Sequence, residues 1–222
     1  MSAAPRQLVV ATGNAHKVEE LRRLLPGVPL MGLDAFAPYP PPEEDAPDFV
    51  GNAIIKARAG YSHTGAPCLA DDSGLSVDAL GGAPGVRSAR YVEGSDADRR
   101  RALLAALDHA GLSAPRTARF DCALAVAGLA EDLPLPPGLI RVGGCVVAVG
   151  VCPGVILRAD QGEGGFGYDA IFAPSEAAVV SSGARDAALR SFAQVPPAVK
   201  NAVSHRGKAA ALIAPFLAAW AA

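Results

Sequence analysis

The sequence predicts an α/β protein with a mixed β-sheet, arranged as two lobes with a cleft between them. Two observations carry this. The first half alternates short apolar runs with segments of helical period, and the second half passes through several strand-like segments in succession. The segments are separated by proline and glycine, and no internal repeat is present. With 222 residues, half of them hydrophobic, the chain suits a single domain of two lobes over 1–222.

In chain order, QLVVAT (7–12) reads as a buried strand. TGNAHKVEELRRLL follows as a helix, with Val18, Leu21, Leu24 and Leu25 on one face and Pro26-Gly27 as the stop. VPLMGLDAF (28–36) is a second short strand with its exit. APYPPPEEDAP (37–47) is too proline-rich for helix or central strand. Asp48 is placed to cap the helix DFVGNAIIKARAGY. APCLADD (66–72) is the next strand, expected to turn at Asp72-Ser73-Gly74, and GGAPGVRSARY is a glycine-rich loop. SDADRRRALLAALDHAG is a helix capped by Ser95 or Asp96, with Arg99 to Arg101 on a solvated face. TARFDCALAVAGL, GGCVVAVGVC and GVILRAD read as three strands, broken at LPLPPG and at Pro153-Gly154. DQGEGGFGYDAIF is a glycine loop entering a strand, and VSSGARDAALRSFAQVPPA is short helix and loop. SHRGKAAALIAPFLAAW is a closing helix with Pro215 inside it.

Composition narrows the function. The formal net charge is −2 and no basic stripe runs along the chain, which argues against a nucleic-acid polymer as partner. No apolar run approaches a membrane span, and the N-terminal apolar run is too short for a signal peptide. Cys68, Cys122, Cys145 and Cys152 form no C-x-x-C pair and sit among apolar residues, so they read as core residues of a cytoplasmic protein.

Four segments carry chemistry. ATGNAHK places a strand end, a turn and a helix start together, a natural seat for an anion, with Thr12, Asn14 and Lys17 able to contribute; a plain βα turn with a solvated lysine is the alternative. Glu43, Glu44, Asp71, Asp72 and Asp78 form an acidic set. Mg²⁺ takes one or two carboxylates and completes its shell with water and substrate phosphates, whereas an Asx-turn would use the aspartates as caps. Adjacent Asp71 and Asp72 face opposite ways on a strand and cannot serve one site alike. GEGGFG (162–167) fails as a dinucleotide fingerprint because a strand-like segment follows it. Its Phe166 and Tyr168 could offer a flat surface to a base with Asp169 nearby, or pack in the core. Lys200 and SHRGK (204–208) complete the set. The chain has only four lysines, Lys17, Lys56, Lys200 and Lys208, and all lie in or beside these segments.

TGNAHKVEEL, the EE of PPEED, NAIIKA, ADDSGLSVDALGGAPGVRSARY, PGVI, GGFGYDAIF and AVSHRGKA occur in an order that resembles the inosine triphosphate pyrophosphatase family over nearly the whole chain. The resemblance implies a long central mixed sheet with two α/β lobes flanking a substrate cleft, and a homodimer. It implies Mg²⁺-dependent hydrolysis of dITP, ITP or XTP between the α- and β-phosphates, giving the monophosphate and pyrophosphate. It implies that Thr12, Gly13, Asn14, Ala15, His16 and Lys17 bind phosphate, with Lys56 on the same side. Asp72 would be the catalytic acid and a metal ligand, and Glu43 the metal-associated glutamate of the acidic loop. Ser73 would contact substrate. Phe166, Gly167, Tyr168 and Asp169 would form the base-side loop, and Lys200, His205 and Arg206 would make further nucleotide contacts. Asp71 is expected to support the site, and Asp78 to be structural and tied to the GGAPG loop. Asp45-Ala46 and the segment VVSSGARDAALRS depart from the family pattern. Two rival readings are a Maf-like nucleotide pyrophosphatase of different base preference and a non-catalytic nucleotide-binding module. The SHRG block argues against the first and the acid set against the second.

Overall fold

The computed structural model describes residues 6–13, 15–38, 40–111, 113–183 and 190–222, with the backbone alone at Ala15 and His16. A seven-stranded mixed sheet carries the fold. Its strands are β1 (Leu8–Val10), β2 (Leu30–Gly32), β3 (Cys68–Val77), β4 (Thr117–Ala127), β5 (Leu139–Val142), β6 (Cys145–Ile156) and β7 (Phe172–Pro174). The order is β2-β1-β3-β4-β6-β5, with β7 also on β6. β1 runs parallel to β2 and β3, whereas β6 runs antiparallel to β5 and β7. The helices are α1 (Ala15–Leu24), α2 (Phe49–Thr64), α3 (Asp96–His109), α4 (Glu176–Ser182), α5 (Pro197–Val203) and α6 (His205–Ala221).

Local signals set the helix ends. The Asp48 carboxylate accepts the Gly51 N–H at 2.7 Å to start α2, and Gly65 ends it in the left-handed region. Ser95 and Asp98 form a reciprocal capping box on α3. The Ser204 hydroxyl accepts the Gly207 N–H at 3.1 Å at the head of α6.

Two strand boundaries differ from the sequence expectation. β3 does not turn at Asp72-Ser73-Gly74 but continues to Val77, because Leu75 and Val77 are fully buried beyond it. The two aspartates are therefore mid-strand. β6 runs unbroken through Pro153-Gly154. Pro153 is exposed there, and its carbonyl accepts the Ser175 N–H at 2.9 Å. Proline is tolerated in a strand where its missing N–H is not needed.

The chain divides into two compact units. The first comprises the described residues of Met1–Asp72, Cys122–Val149 and Ala209–Ala222, and the second those of Ser73–Asp121 and Gly150–Lys208. In the first, Leu8, Val10, Leu69, Leu124 and Val146 pack with Leu21 of α1, with Leu25 just after it, and with Ile213 and Leu217 of α6. A separate cluster sets Val9, Cys68, Ala70 and Ala123 against Ala53 and Ala57 of α2. In the second, Leu75, Val77, Phe120, Phe172 and Phe192 pack with Leu103 and Leu107 of α3. All four cysteines are buried, and none forms a disulfide among the described residues. No described helix is long and apolar enough to cross a membrane.

Candidate active site

Alternation along β3 distributes the acids of the first unit. Leu69 faces the α1 cluster, and Cys68 and Ala70 face the α2 cluster. Asp71 follows Leu69, and its carboxylate lies 2.9 Å from the Lys17 ammonium on α1. Asp72 follows Ala70, and its Oδ1 accepts the Lys56 ammonium of α2 at 2.7 Å. The same ammonium donates to Glu44 Oε2 at 3.4 Å, so one lysine bridges two carboxylates. Asp71 thus fixes Lys17 and stays apart from Asp72, as the period of a strand requires.

Burial penalises the charges at this site. It pushes the Asp72 carboxyl above its ordinary range, outweighing the pull of Lys56 and Lys17. Burial acts on Lys56 in the lowering direction, but Asp72, Asp71 and Glu44 together hold the ammonium above its usual value. Asp72 Oδ2 is buried with no hydrogen-bond partner among the described residues, while Oδ1 is occupied by Lys56. A buried carboxylate with one uncommitted oxygen is set up to accept a proton or to ligate a hard cation.

The acidic loop brings one of its two glutamates to Lys56. Glu44, not Glu43, reaches Lys56 beside Asp72, and Glu43 is exposed. Two neighbouring glutamates in an irregular loop have no period from which their facing can be read. The loop is held to α2 by the Ala46 N–H, which donates to Oδ1 of the fully buried Asn52 at 3.0 Å.

Thr12 and Gly13 follow β1, and Ala15, His16 and Lys17 open α1. Asn14 and the side chains of Ala15 and His16 lie outside what is described, as do residues 184–189 of the segment VVSSGARDAALRS.

The second unit holds the remaining candidates. Asp169 is buried, and its Oδ2 accepts both the Phe166 N–H at 2.9 Å and the Lys200 ammonium at 2.8 Å. A Cβ at Gly165 would stand 2.1 Å from that oxygen, and Gly165 has φ +72°, so glycine lets the loop close over Asp169. Lys200 lies 4.8 Å from the centroid of the Phe166 ring, and the Arg206 guanidinium 6.0 Å from it. Arg206 is almost wholly buried and donates to the Ser73 hydroxyl at 2.6 Å. His205 is stacked on Phe120 at 4.7 Å and 11°. The Tyr168 ring is buried, matching the core-packing alternative, and its hydroxyl donates to the Ser88 carbonyl at 3.0 Å. Its phenol is accordingly pushed well above the ordinary range by burial. Lys208 donates to the Val151 carbonyl at 2.9 Å. Asp78 accepts from the Thr117 hydroxyl of β4 through its side chain, and its backbone carbonyl accepts the Gly81 N–H at 3.1 Å at the start of the GGAPG loop.

Two residues escaped the sequence reading. Asp96 and Arg100, in the first turns of α3, reach the glycine loop: Asp96 accepts the Gly167 N–H at 2.7 Å, and Arg100 donates to the Gly167 carbonyl at 2.9 Å. The arginine run is therefore not simply a solvated face.

A model of the Ham1 family matches residues 8–216. The chain belongs to the Ham1 family. It is 43% identical over 97% of its length, and 96% of the relative's, to a dITP/XTP pyrophosphatase of Nocardia farcinica. Among solved structures it resembles a HAM1 protein of Coxiella burnetii, with 37% identity, TM-score 0.77, and coverage of 96% of this chain and 98% of that one. It also resembles a nucleoside-triphosphatase / dITP/XTP pyrophosphatase of Mycobacterium abscessus, with 40% identity, TM-score 0.67, and coverage of 94% and 99%. Ham1 membership agrees with the α/β fold and central mixed sheet expected from the sequence.

Proposed function

We propose that this Ham1 protein is a nucleoside triphosphate pyrophosphohydrolase that converts dITP, ITP and XTP to the monophosphate and pyrophosphate, clearing non-canonical purines from the nucleotide pool. The carrying observation is the pair of carboxylates, Asp72 and Glu44, bridged by Lys56 beside the Lys17–Asp71 pair. It occurs in a chain whose relatives bear the name dITP/XTP pyrophosphatase.

Mg²⁺ fits the residues present. The buried Asp72 Oδ2 and the neighbouring Glu44 are hard oxygen donors that would hold the ion, with Glu43, the metal-associated glutamate of the resemblance, adjacent in the same loop. Among the described residues no group of three or more His, Cys, Asp or Glu forms a protein cage, and Mg²⁺ asks for none when phosphates and water complete its shell. When bound, the ion supplies Lewis acidity and charge neutralisation to the phosphates.

The chain's residues then divide the work. Asp72 takes the proton of the attacking water as its oxygen bonds to the α-phosphorus. The bond from that phosphorus to the α,β-bridging oxygen breaks, and its electrons leave with pyrophosphate. Lys56, Lys17 and the head of α1 stabilise the charge that develops on the leaving group. On the base side we assign Phe166 to stacking and Arg206 or His205 to donation toward a 6-oxo group, with Lys200 and Asp169 holding the loop. Ser73, bonded to Arg206, remains a substrate contact in this reading. The unit of function is one domain of two lobes over 1–222. A second copy is the proposed partner, and the exposed Ile140, Val142, Val149 and Val151 on β5 and β6 are the apolar residues it would cover. Four buried cysteines outside any disulfide among the described residues suit a reducing cytoplasm.

Pyrophosphate release across a panel of nucleoside triphosphates, with and without Mg²⁺, tests the proposal. Release with ITP, dITP and XTP well above GTP and ATP is expected. An ITP to GTP ratio near unity overturns the sanitising role, and no release from any nucleotide overturns the activity.

A further inference from the structure

We infer that Asp96 and Arg100 are positioning residues that set the affinity for the base half of the substrate by clamping Gly167 from both sides of its backbone. This rests on reading Phe166–Asp169 as the base-side loop.

Both residues act on the backbone of Gly167. Asp96 Oδ2 accepts the Gly167 N–H at 2.7 Å, and Arg100 Nη1 donates to the Gly167 carbonyl at 2.9 Å. Asp96 and Arg100 are four residues apart on α3, so they lie on one helix face. The two polar groups of a single loop residue are therefore tied to one rigid element by charge-assisted bonds.

The clamp is itself braced. Arg100 holds Asp160, at the start of the same loop, through Nε at 2.9 Å and Nη2 at 2.7 Å. Arg99 donates to the other oxygen of Asp96 at 2.6 Å. These bonds and the Gly167 N–H hold the Asp96 carboxyl below its ordinary range against the opposing effect of burial.

Gly167 is where such a clamp matters. It sits in the left-handed region at φ +60°, with nothing within 4 Å of where a Cβ would stand, so its own packing does not fix it. On one side is Phe166, partly exposed and lying under Lys200 and Arg206. On the other is Tyr168, anchored in the core through Ser88. Asp169 fixes the Phe166 N–H, Asp96 fixes the peptide between Phe166 and Gly167, and Arg100 fixes the one between Gly167 and Tyr168. Together they determine the plane that Phe166 presents. Binding geometry held in advance costs less on association than geometry formed at that moment.

The test uses Asp96→Ala and Asp96→Asn in the full chain, with two readouts: ITP turnover, and competitive inhibition by inorganic tripolyphosphate, which has no base. For Asp96→Ala the expectation is a KM for ITP raised about tenfold or more, with kcat nearly kept and the tripolyphosphate inhibition constant unchanged. Asp96→Asn keeps an oxygen that can accept the Gly167 N–H and should fall between wild type and Ala. If the alanine variant does not fold, a raised KM in Asp96→Asn with unchanged tripolyphosphate inhibition carries the same result. An unchanged KM in a folded variant overturns the clamp. So does a parallel loss of tripolyphosphate binding, which would mark general damage. Wild-type turnover of ITP separates this outcome from failure of the functional reading: without it the activity falls, and with it only the clamp is at stake.

Discussion

Replacing Asp72 by Asn tests the centre of the proposed chemistry. The amide keeps the shape of the side chain and an oxygen for the Lys56 ammonium, now at 2.7 Å from Oδ1, but it cannot take a proton from water or offer an anionic ligand. Loss of a positioned general base removes roughly 10²- to 10⁴-fold in rate, about 3–5 kcal/mol of barrier. The fold should tolerate the change. Burial disfavours ionised Asp72 more than Lys56 and Lys17 favour it, so removing the charge relieves a cost, and Glu44 still pairs with Lys56. A net change within about 1 kcal/mol is expected, a Tm shift of about 2–4 °C at this chain length. The pH dependence has a defined sign. A carboxyl whose folded pKa is raised adds stability below its unfolded pKa and loses it as pH rises through the folded value. The Tm difference should therefore move in favour of Asp72→Asn across that interval. The assays are kcat with ITP and Mg²⁺ and thermal unfolding at several pH values. Wild-type kcat in the variant refutes the role of Asp72, and lost turnover accompanied by a collapsed Tm refutes the claim that the residue is chemical and not structural.

Three further outcomes are expected. The acidic limb of kcat/KM in the wild type should lie above the ordinary carboxylate range, because Asp72 must be ionised to accept a proton and burial raises its pKa; a pH profile locates it. Lys56→Met removes the attraction that opposes burial and should move that limb to higher pH while lowering kcat/KM by at least about tenfold; a limb that moves to lower pH contradicts the assignment. Gly207→Ala would place a Cβ 1.7 Å from the Asn201 carbonyl oxygen and should destabilise the fold by about 1–3 kcal/mol, read as a lower denaturation midpoint.

Much of the local structure was legible in the chain. Asp48 as the α2 cap, Ser95 or Asp96 as the α3 cap, the helix within TGNAHKVEELRRLL and the rejection of GEGGFG as a dinucleotide loop all follow from neighbouring residues, and the structure agrees, with Ser95 as the α3 cap. The separation of Asp71 from Asp72 followed from strand period alone, and their distinct lysine partners match it. Motif order carried the family reading.

Where chain-local signals competed with packing, the sequence reading missed. Ser73-Gly74 and Pro153-Gly154 look like breaks, but Leu75, Val77, Cys152 and Ile156 bury enough apolar surface to keep β3 and β6 extended across them. β5, with exposed Ile140 and Val142, went unread because its four residues carry too little pattern. Tyr168 reads equally as a stacking surface or a core residue until the Ser88 carbonyl is seen to receive its hydroxyl.

By itself, then, the sequence determined the helix caps, the alternation of acids on β3, the α/β class and the family, because each depends on residues close in the chain or on their linear order. Only the tertiary structure decided that Glu44 and not Glu43 shares Lys56 with Asp72, and that Asp96 and Arg100 hold Gly167. Those contacts join residues separated by 12 and by about 70 positions. An ion pair or a backbone clamp of that span has no periodicity to announce it. It exists only once separate segments have been packed to within hydrogen-bonding distance.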